Sequence, residues 1–154
     1  MSIYQNILVA IDLSEESQQV VDKAQAIAGA GDHLALVHVV RPIEHVYGGF
    51  GAVGLAGDFS EQMATLEQQA SAHAAQKLKD LGAVLGVPES RQFTPVGHAA
   101  TEIQRVAGEL EADLIVMGTH GRYGLGLLLG STANGVLHGV KRDVLAVRVH
   151  APER

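Results

Sequence analysis

Apolar residues along this chain follow two alternating rhythms: short, nearly continuous runs, and longer stretches in which they return every three or four positions. The runs read as strands covered on both faces, the stretches as amphipathic helices. Ile3 to Ala10 (IYQNILVA) predicts a first strand, closed by Asp12. Ser14 predicts a helix N-cap, and Glu15 and Glu16 suit the positive end of a helix dipole. Val20, Val21, Ala24, Ile27 and Ala28 then repeat at helical spacing up to a stop at Gly29. Leu34 to Val40 (LALVHVV) predicts the second strand. A glycine-rich connector follows over 41–59, either a lid over a site or a plain link. Ser60 opens the longest helical pattern, in which Met63, Leu66, Ala70, Ala74, Leu78, Leu81 and Leu85 predict one core-facing stripe that Gly86 and Pro88 end.

Arg91 to Thr94 predicts a short third strand, and Glu102 to Leu110 a helix with Ile103, Val106, Ala107 and Leu110 inward. Asp113 to Met117 predicts the fourth strand, Ser131 to Val140 the last helix, and Val144 to Val149 (VLAVRV) the fifth strand, with 150–154 as a tail. Strict alternation of buried strands and amphipathic helices predicts a single α/β domain over 1–154: an open, parallel, five-stranded sheet with helices on both faces. In the order 3-2-1-4-5 the first and fourth strands are neighbours where the winding reverses, the place where such sheets gather ligands.

Between the fourth strand and the last helix stands the segment LIVMGTHGRYGLGLLLGST, from Leu114 to Thr132. A strand, a glycine-rich loop and a helix N-terminus in that order shape a backbone to hold phosphate, because glycines let main-chain N–H groups approach the anion. A Walker loop is absent, since no glycine precedes Lys-Ser or Lys-Thr. Gly124-Leu-Gly126 does not complete a dinucleotide fingerprint, because the third glycine position falls on Leu129. Asp12 can accept from ribose hydroxyls or merely turn the chain; Ser131 can donate to phosphate or merely cap its helix. Arg122 can pair bidentately with phosphate or stand as a solvated loop cation.

Composition narrows the field. With 154 residues, 47% hydrophobic and only 4% aromatic, the core rests on Val, Leu, Ile and Ala. The absence of cysteine excludes a disulfide framework, a thiolate zinc site and a cysteine nucleophile. A net charge of −6 speaks against a nucleic-acid surface. No apolar run reaches the roughly 20 residues that span a bilayer, and the N-terminus lacks signal-peptide features, so a cytoplasmic protein is expected. The eight histidines are scattered with no close ligand pairing, so no metal site is expected. His38 reads as a hydrogen-bonded residue of the second strand.

Five segments in order, ILVAIDLSEES, LVHVV, DLIVMGTHGRYG, GSTANGVLHG and DVLAVRV, resemble the universal stress protein family from end to end. The resemblance implies a Rossmann-like, adenine nucleotide alpha hydrolase-like fold. It implies ATP, ADP or AMP as ligand, with or without Mg, and places Ala10, Ile11 and Asp12 near the ribose and adenine. Val39 would bond the base through its backbone, with Met117 along the base's face. Gly118, Gly121, Gly130, Ser131 and Thr132 would hold the ribose and phosphates, with His120 and Arg122 beside them. It further implies a homodimer through Val144 to Val149, each strand pairing antiparallel with its copy. The usual motif is G-x2-G-x9-G-[ST], whereas this chain spaces Gly121 and Gly130 by eight residues.

Two functions therefore stand. One is a nucleotide-binding sensor or regulator of the stress response with an unidentified regulatory partner; the other is a nucleotide-independent dimer that docks on proteins. No loop lysine or poised base supports an enzyme beyond slow ATP hydrolysis.

Overall fold

The computed structural model describes residues 2–29, 31–42, 58–119 and 130–150. Five strands, β1 (Ile7–Ala10), β2 (Leu34–Val37), β3 (Gln92–Phe93), β4 (Leu114–Gly118) and β5 (Asp143–Val147), form one parallel sheet in the order β3-β2-β1-β4-β5. β1 is central, pairing Ile7 with both Leu34 and Leu114 and Ala10 with both Val37 and Met117. Every residue of β1 and β2 is buried, which is why these strands read as unbroken apolar runs.

Successive side chains of a strand point to opposite faces, and two cores result. Ile7, Val9, Leu36 and Val116 meet α1 (Ser17–Ala28) and the C-terminal half of α2 (Asp58–Leu85) on one face. Leu8, Ala10, Val37, Ile115 and Met117 meet α3 (Ala99–Glu109) and α4 (Ser131–Gly139) on the other. Each such side chain fully removed from water stabilises the fold by roughly 1.5–3 kcal/mol before entropy is counted.

Gly135 and Gly139 cost α4 about 1 kcal/mol each in helix propensity relative to alanine, and packing explains them. A Cβ on Gly135 would lie 2.8 Å from the Ala100 Cβ, and one on Gly139 would lie 2.9 Å from the Gln104 side-chain nitrogen. The close approach also lets the Gln104 amide donate to the Gly135 and Val136 carbonyls, at 3.1 and 3.2 Å.

Several expected boundaries shift. β1 begins at Ile7 rather than Ile3, because the Asp113 carboxylate takes the N–H groups of Gln5 (2.7 Å) and Asn6 (3.0 Å) away from any ladder. β2 ends at Val37; beyond it Val40 makes only an isolated bridge to Val96. His38 thus lies just past the strand. α1 starts at Ser17, not after a Ser14 cap, and α3 starts at Ala99, ahead of Glu102. Most of the predicted 41–59 connector lies outside the described residues, and its end at 58–59 already belongs to α2.

The predicted core stripe of the long helix is corrected as well. Ala74, Leu78 and Leu85 are buried and Leu81 packs against the same core, but Leu66 is 48% exposed and Met63 and Ala70 lie outside it. β5 runs Asp143–Val147 rather than Val144 to Val149, with Val149 packed against the core beyond the strand. His150, assigned to the tail, is tied down: the Gln19 side-chain amide donates to its carbonyl (2.8 Å) and accepts from its N–H (3.0 Å).

The phase of the last ladder is set by one bond. Thr119 N–H donates to the Val147 carbonyl at 2.8 Å, and Gly118 is in register with Val147. In a parallel pair this turns both backbone groups of Leu145 and Val147 toward β4, and those of Val144 and Ala146 toward the open edge. Among the described residues no helix is long and apolar enough to cross a membrane.

Candidate functional site

The carboxyl ends of β1, β2 and β4 open into a cleft of about 800 Å³. Its position follows from topology. The chain winds from β1 out to β3 on one side and from β4 to β5 on the other, so loops leaving β1 and β4 diverge and leave a crevice. Ala10, Ile11, Asp12, Val39, Met117, Gly118, Gly130, Ser131 and Thr132 all line it. His120, Gly121 and Arg122 lie outside the described residues.

Asp12 does turn the chain. Its Oδ1 accepts from the Ser14 N–H (3.0 Å), the Ser14 hydroxyl (2.5 Å) and the Ser17 hydroxyl (2.7 Å). This is an Asx turn, and it holds Leu13 at a φ of 60°, a left-handed conformation costing on the order of 1 kcal/mol outside glycine. With Ser14 engaged by Asp12, the N-cap position passes to Glu16, which makes no side-chain cap bond. All three bonds from Ser14 and Ser17 fall on Oδ1, so turning the chain and meeting a ligand are compatible roles for the two oxygens.

Burial pushes the Asp12 carboxyl up, but the hydrogen bonds from Ser14 and Ser17 outweigh it and hold the group below the ordinary carboxylate value. A carboxyl that titrates lower folded than unfolded adds stability above its unfolded value, near pH 4, and loses it as pH falls through the folded value. Wild-type protein should therefore resist urea better than Asp12→Ala at pH 7, with the gap narrowing as pH drops below about 4. A gap that stays constant down to pH 2 would exclude the ionised carboxylate as its source.

The opposite wall is built by β4 and α4. Thr119 N–H is held by Val147 and the Thr119 carbonyl accepts from Gly130 N–H at 2.7 Å, so both ends of the glycine loop are pinned at one point. Gly130 is the N-cap of α4, with φ −63° and ψ 157°, and supplies no side-chain cap. The first helical bond runs from Asn134 N–H to the Gly130 carbonyl at 2.9 Å. The N–H groups of Ser131, Thr132 and Ala133 precede it and have no helical acceptor, leaving partial positive charge at the cleft wall. Such a terminus favours an anion.

Between these walls the floor is apolar: Ala10, Val37, Met117 and Ala133 are buried, and Ala99 and Ile103 of α3 close one side. An apolar floor thus lies between a carboxylate acceptor at Asp12 and the first-turn N–H groups of α4. His38 also lines the cleft, its Nδ1 at 2.9 Å from the Ile11 carbonyl. A carbonyl can only accept, so Nδ1 carries the proton when the ring is neutral, and Nε2 is then an acceptor.

Sequence reasoning overlooked Ser14 and Ser17 as the supports of Asp12, although the spacing Asp12-x-Ser14-x-x-Ser17 was a usable sign of the turn. It also missed Arg41, His73 and Lys77, which line the same cleft. His73 and Lys77 were hidden beside a helical stripe read as core.

Comparison with known proteins agrees with this architecture. The sequence model of the universal stress protein family matches residues 3–148. Universal stress protein A homolog 1 of Coxiella burnetii is 42% identical over 145 residues, covering 94% of this chain and 96% of its own. The structure of the universal stress protein UspA from Lactobacillus plantarum superimposes with a TM-score of 0.73 at 22% identity, covering 96% of this chain and 100% of that one. A universal stress protein crystallised in complex with cAMP matches with a TM-score of 0.55 at 25% identity, covering 96% of this chain and 98% of that one.

Proposed function

The chain belongs to the universal stress protein family, and from that premise we propose that it binds ATP, or the related ADP or AMP, and acts as a cytoplasmic, non-enzymatic sensor or regulator of the stress response. The observation that carries this reading is the convergence, in one cleft at the reversal of the sheet, of the Asp12 carboxylate and the unpaired first-turn N–H groups of α4. The cAMP complex of a protein 25% identical to this one supports an adenylate as the occupant.

In this reading Val39 bonds the base through its backbone, with Met117 beneath it and Ala10 and Ile11 at its edge. Asp12 accepts from the ribose. Gly118, Gly121, Gly130, Ser131 and Thr132 hold the phosphates, joined by His120 and Arg122, and Mg accompanies a polyphosphate. Two copies pair through β5 and the residues up to Val149, because Val144 and Ala146 turn their backbone groups to an edge that no described strand covers.

Protein isolated from cells without added nucleotide, then denatured, should release an adenine nucleotide detectable by absorbance and mass spectrometry. Isothermal titration of the emptied protein should restore binding. No released nucleotide and no heat on titration with ATP, ADP or AMP would leave only a nucleotide-independent interaction protein. The eight-residue spacing between Gly121 and Gly130 is the feature that favours that second reading.

A further inference from the structure

One stripe of the long helix faces the cleft and has no part in the nucleotide contacts above. Ala70, His73, Ala74 and Lys77 stand at i, i+3, i+4 and i+7, hence on one stripe, and all four line the cleft. Ala74 is buried, while Ala70, His73 and Lys77 are exposed. The alanines keep the wall shallow; His73 and Lys77 put two basic side chains one helical turn apart along it. Arg41, just beyond β2, lines the cleft too. Among the described residues no ion pair or hydrogen bond engages the side chain of His73, Lys77 or Arg41.

His73 and Lys77, on α2, lie on the α1/α2 side of the sheet, whereas the N–H groups of Ser131, Thr132 and Ala133 open on the α3/α4 side. The charged groups on the α1 wall are Asp12 and Glu16. An anion placed beside those carboxylates is repelled unless a cation stands near, and Lys77 of the α2 stripe supplies one. A ligand that satisfies both sides of the cleft therefore carries anionic groups at two separated places, with a hydroxyl between them for Asp12.

Building on the proposed nucleotide reading, we infer that His73 and Lys77, with Arg41, form a second anion subsite, and that the cleft takes an adenylate bearing a further phosphate on its ribose. One ribose hydroxyl carries that phosphate toward Lys77, and the other remains to donate to Asp12. The 5′-phosphate stays at the start of α4. Lys77 extends its stem along the Ala70 and Ala74 surface and brings its ammonium to the phosphate.

The test is isothermal titration of the intact protein with AMP, adenosine 3′,5′-bisphosphate and adenosine 2′,5′-bisphosphate. Wild type should bind one bisphosphate at least tenfold more tightly than AMP, and the arm that gains identifies the hydroxyl. In Lys77→Glu that ratio should fall to one or below, and in His73→Ala it should shrink. Equal affinities in wild type, with AMP binding intact, would overturn the second subsite and leave the nucleotide reading standing. A ratio that survives in both variants would also overturn it. Absence of binding by AMP and both bisphosphates would remove the nucleotide reading and the subsite together.

Discussion

Gly130→Val is expected to weaken ATP binding at least a hundredfold, about 2.7 kcal/mol, while the fold persists. The two halves of that expectation have separate causes. Gly130 has φ −63° and ψ 157°, a region open to any residue, so valine introduces no backbone strain. Its N–H can keep the 2.7 Å bond to the Thr119 carbonyl. The structural cost is that of a poor N-cap, about 1 kcal/mol, or a melting temperature lower by roughly 2–4 °C for a chain of this size. Binding suffers far more, because the added isopropyl group stands at the cleft wall beside the N–H groups of Ser131 and Thr132. An anion is thereby kept beyond hydrogen-bonding distance of those groups, and an N–H···O bond fades beyond about 3.2 Å. Titration calorimetry and a thermal melt on the same preparation check both halves. Unchanged ATP affinity would falsify the assignment of the α4 N-terminus as the phosphate site.

Ala146→Pro is expected to halve the mass seen by light scattering, converting a dimer into monomers. The Val147–Thr119 bond sets Ala146 N–H outward, away from β4, so proline removes a donor that no described residue uses. Proline is tolerated on edge strands in this orientation, and the extended conformation it demands of Leu145 is already that of a strand. At the edge the same change is severe: an antiparallel pair of β5 strands needs that N–H, and the ring intrudes on the partner backbone. Ala146→Val, which keeps the N–H and suits a strand, should remain dimeric. A wild-type protein that is already monomeric, or a proline variant of undiminished mass, would rule out pairing through β5.

Much of the sheet was legible because burial on both faces leaves an unmistakable trace. ILVA, LALV and LIVM admit no polar residue, and these segments are β1, β2 and most of β4. Edges were read less well. β5 has an exposed first residue and three half-buried ones, so its ends depend on which neighbours cover them. Local competition displaced the start of α1: Ser14 is a good cap in isolation, but Asp12 is a stronger local acceptor and recruits it. The long helix misled for a different reason. Periodicity tells which side of a helix is apolar but not how far the sheet extends beneath it, and the Leu78–Leu85 portion is the part that joins the core. Ala70 and His73, N-terminal to that portion, line the cleft instead.

From the order of residues alone came the parallel α/β design, the reversal between β1 and β4, and the family to which the chain belongs, because each is written in local periodicity and short motifs. Which side chains share the cleft was decided by tertiary structure. His73 and Lys77 come from a helix remote in sequence from Asp12, and the outward face of Ala146 depends on a single bond from Thr119. Neither relation exists until strands pair and helices dock, since both are distances across the fold, which no local pattern of side chains encodes.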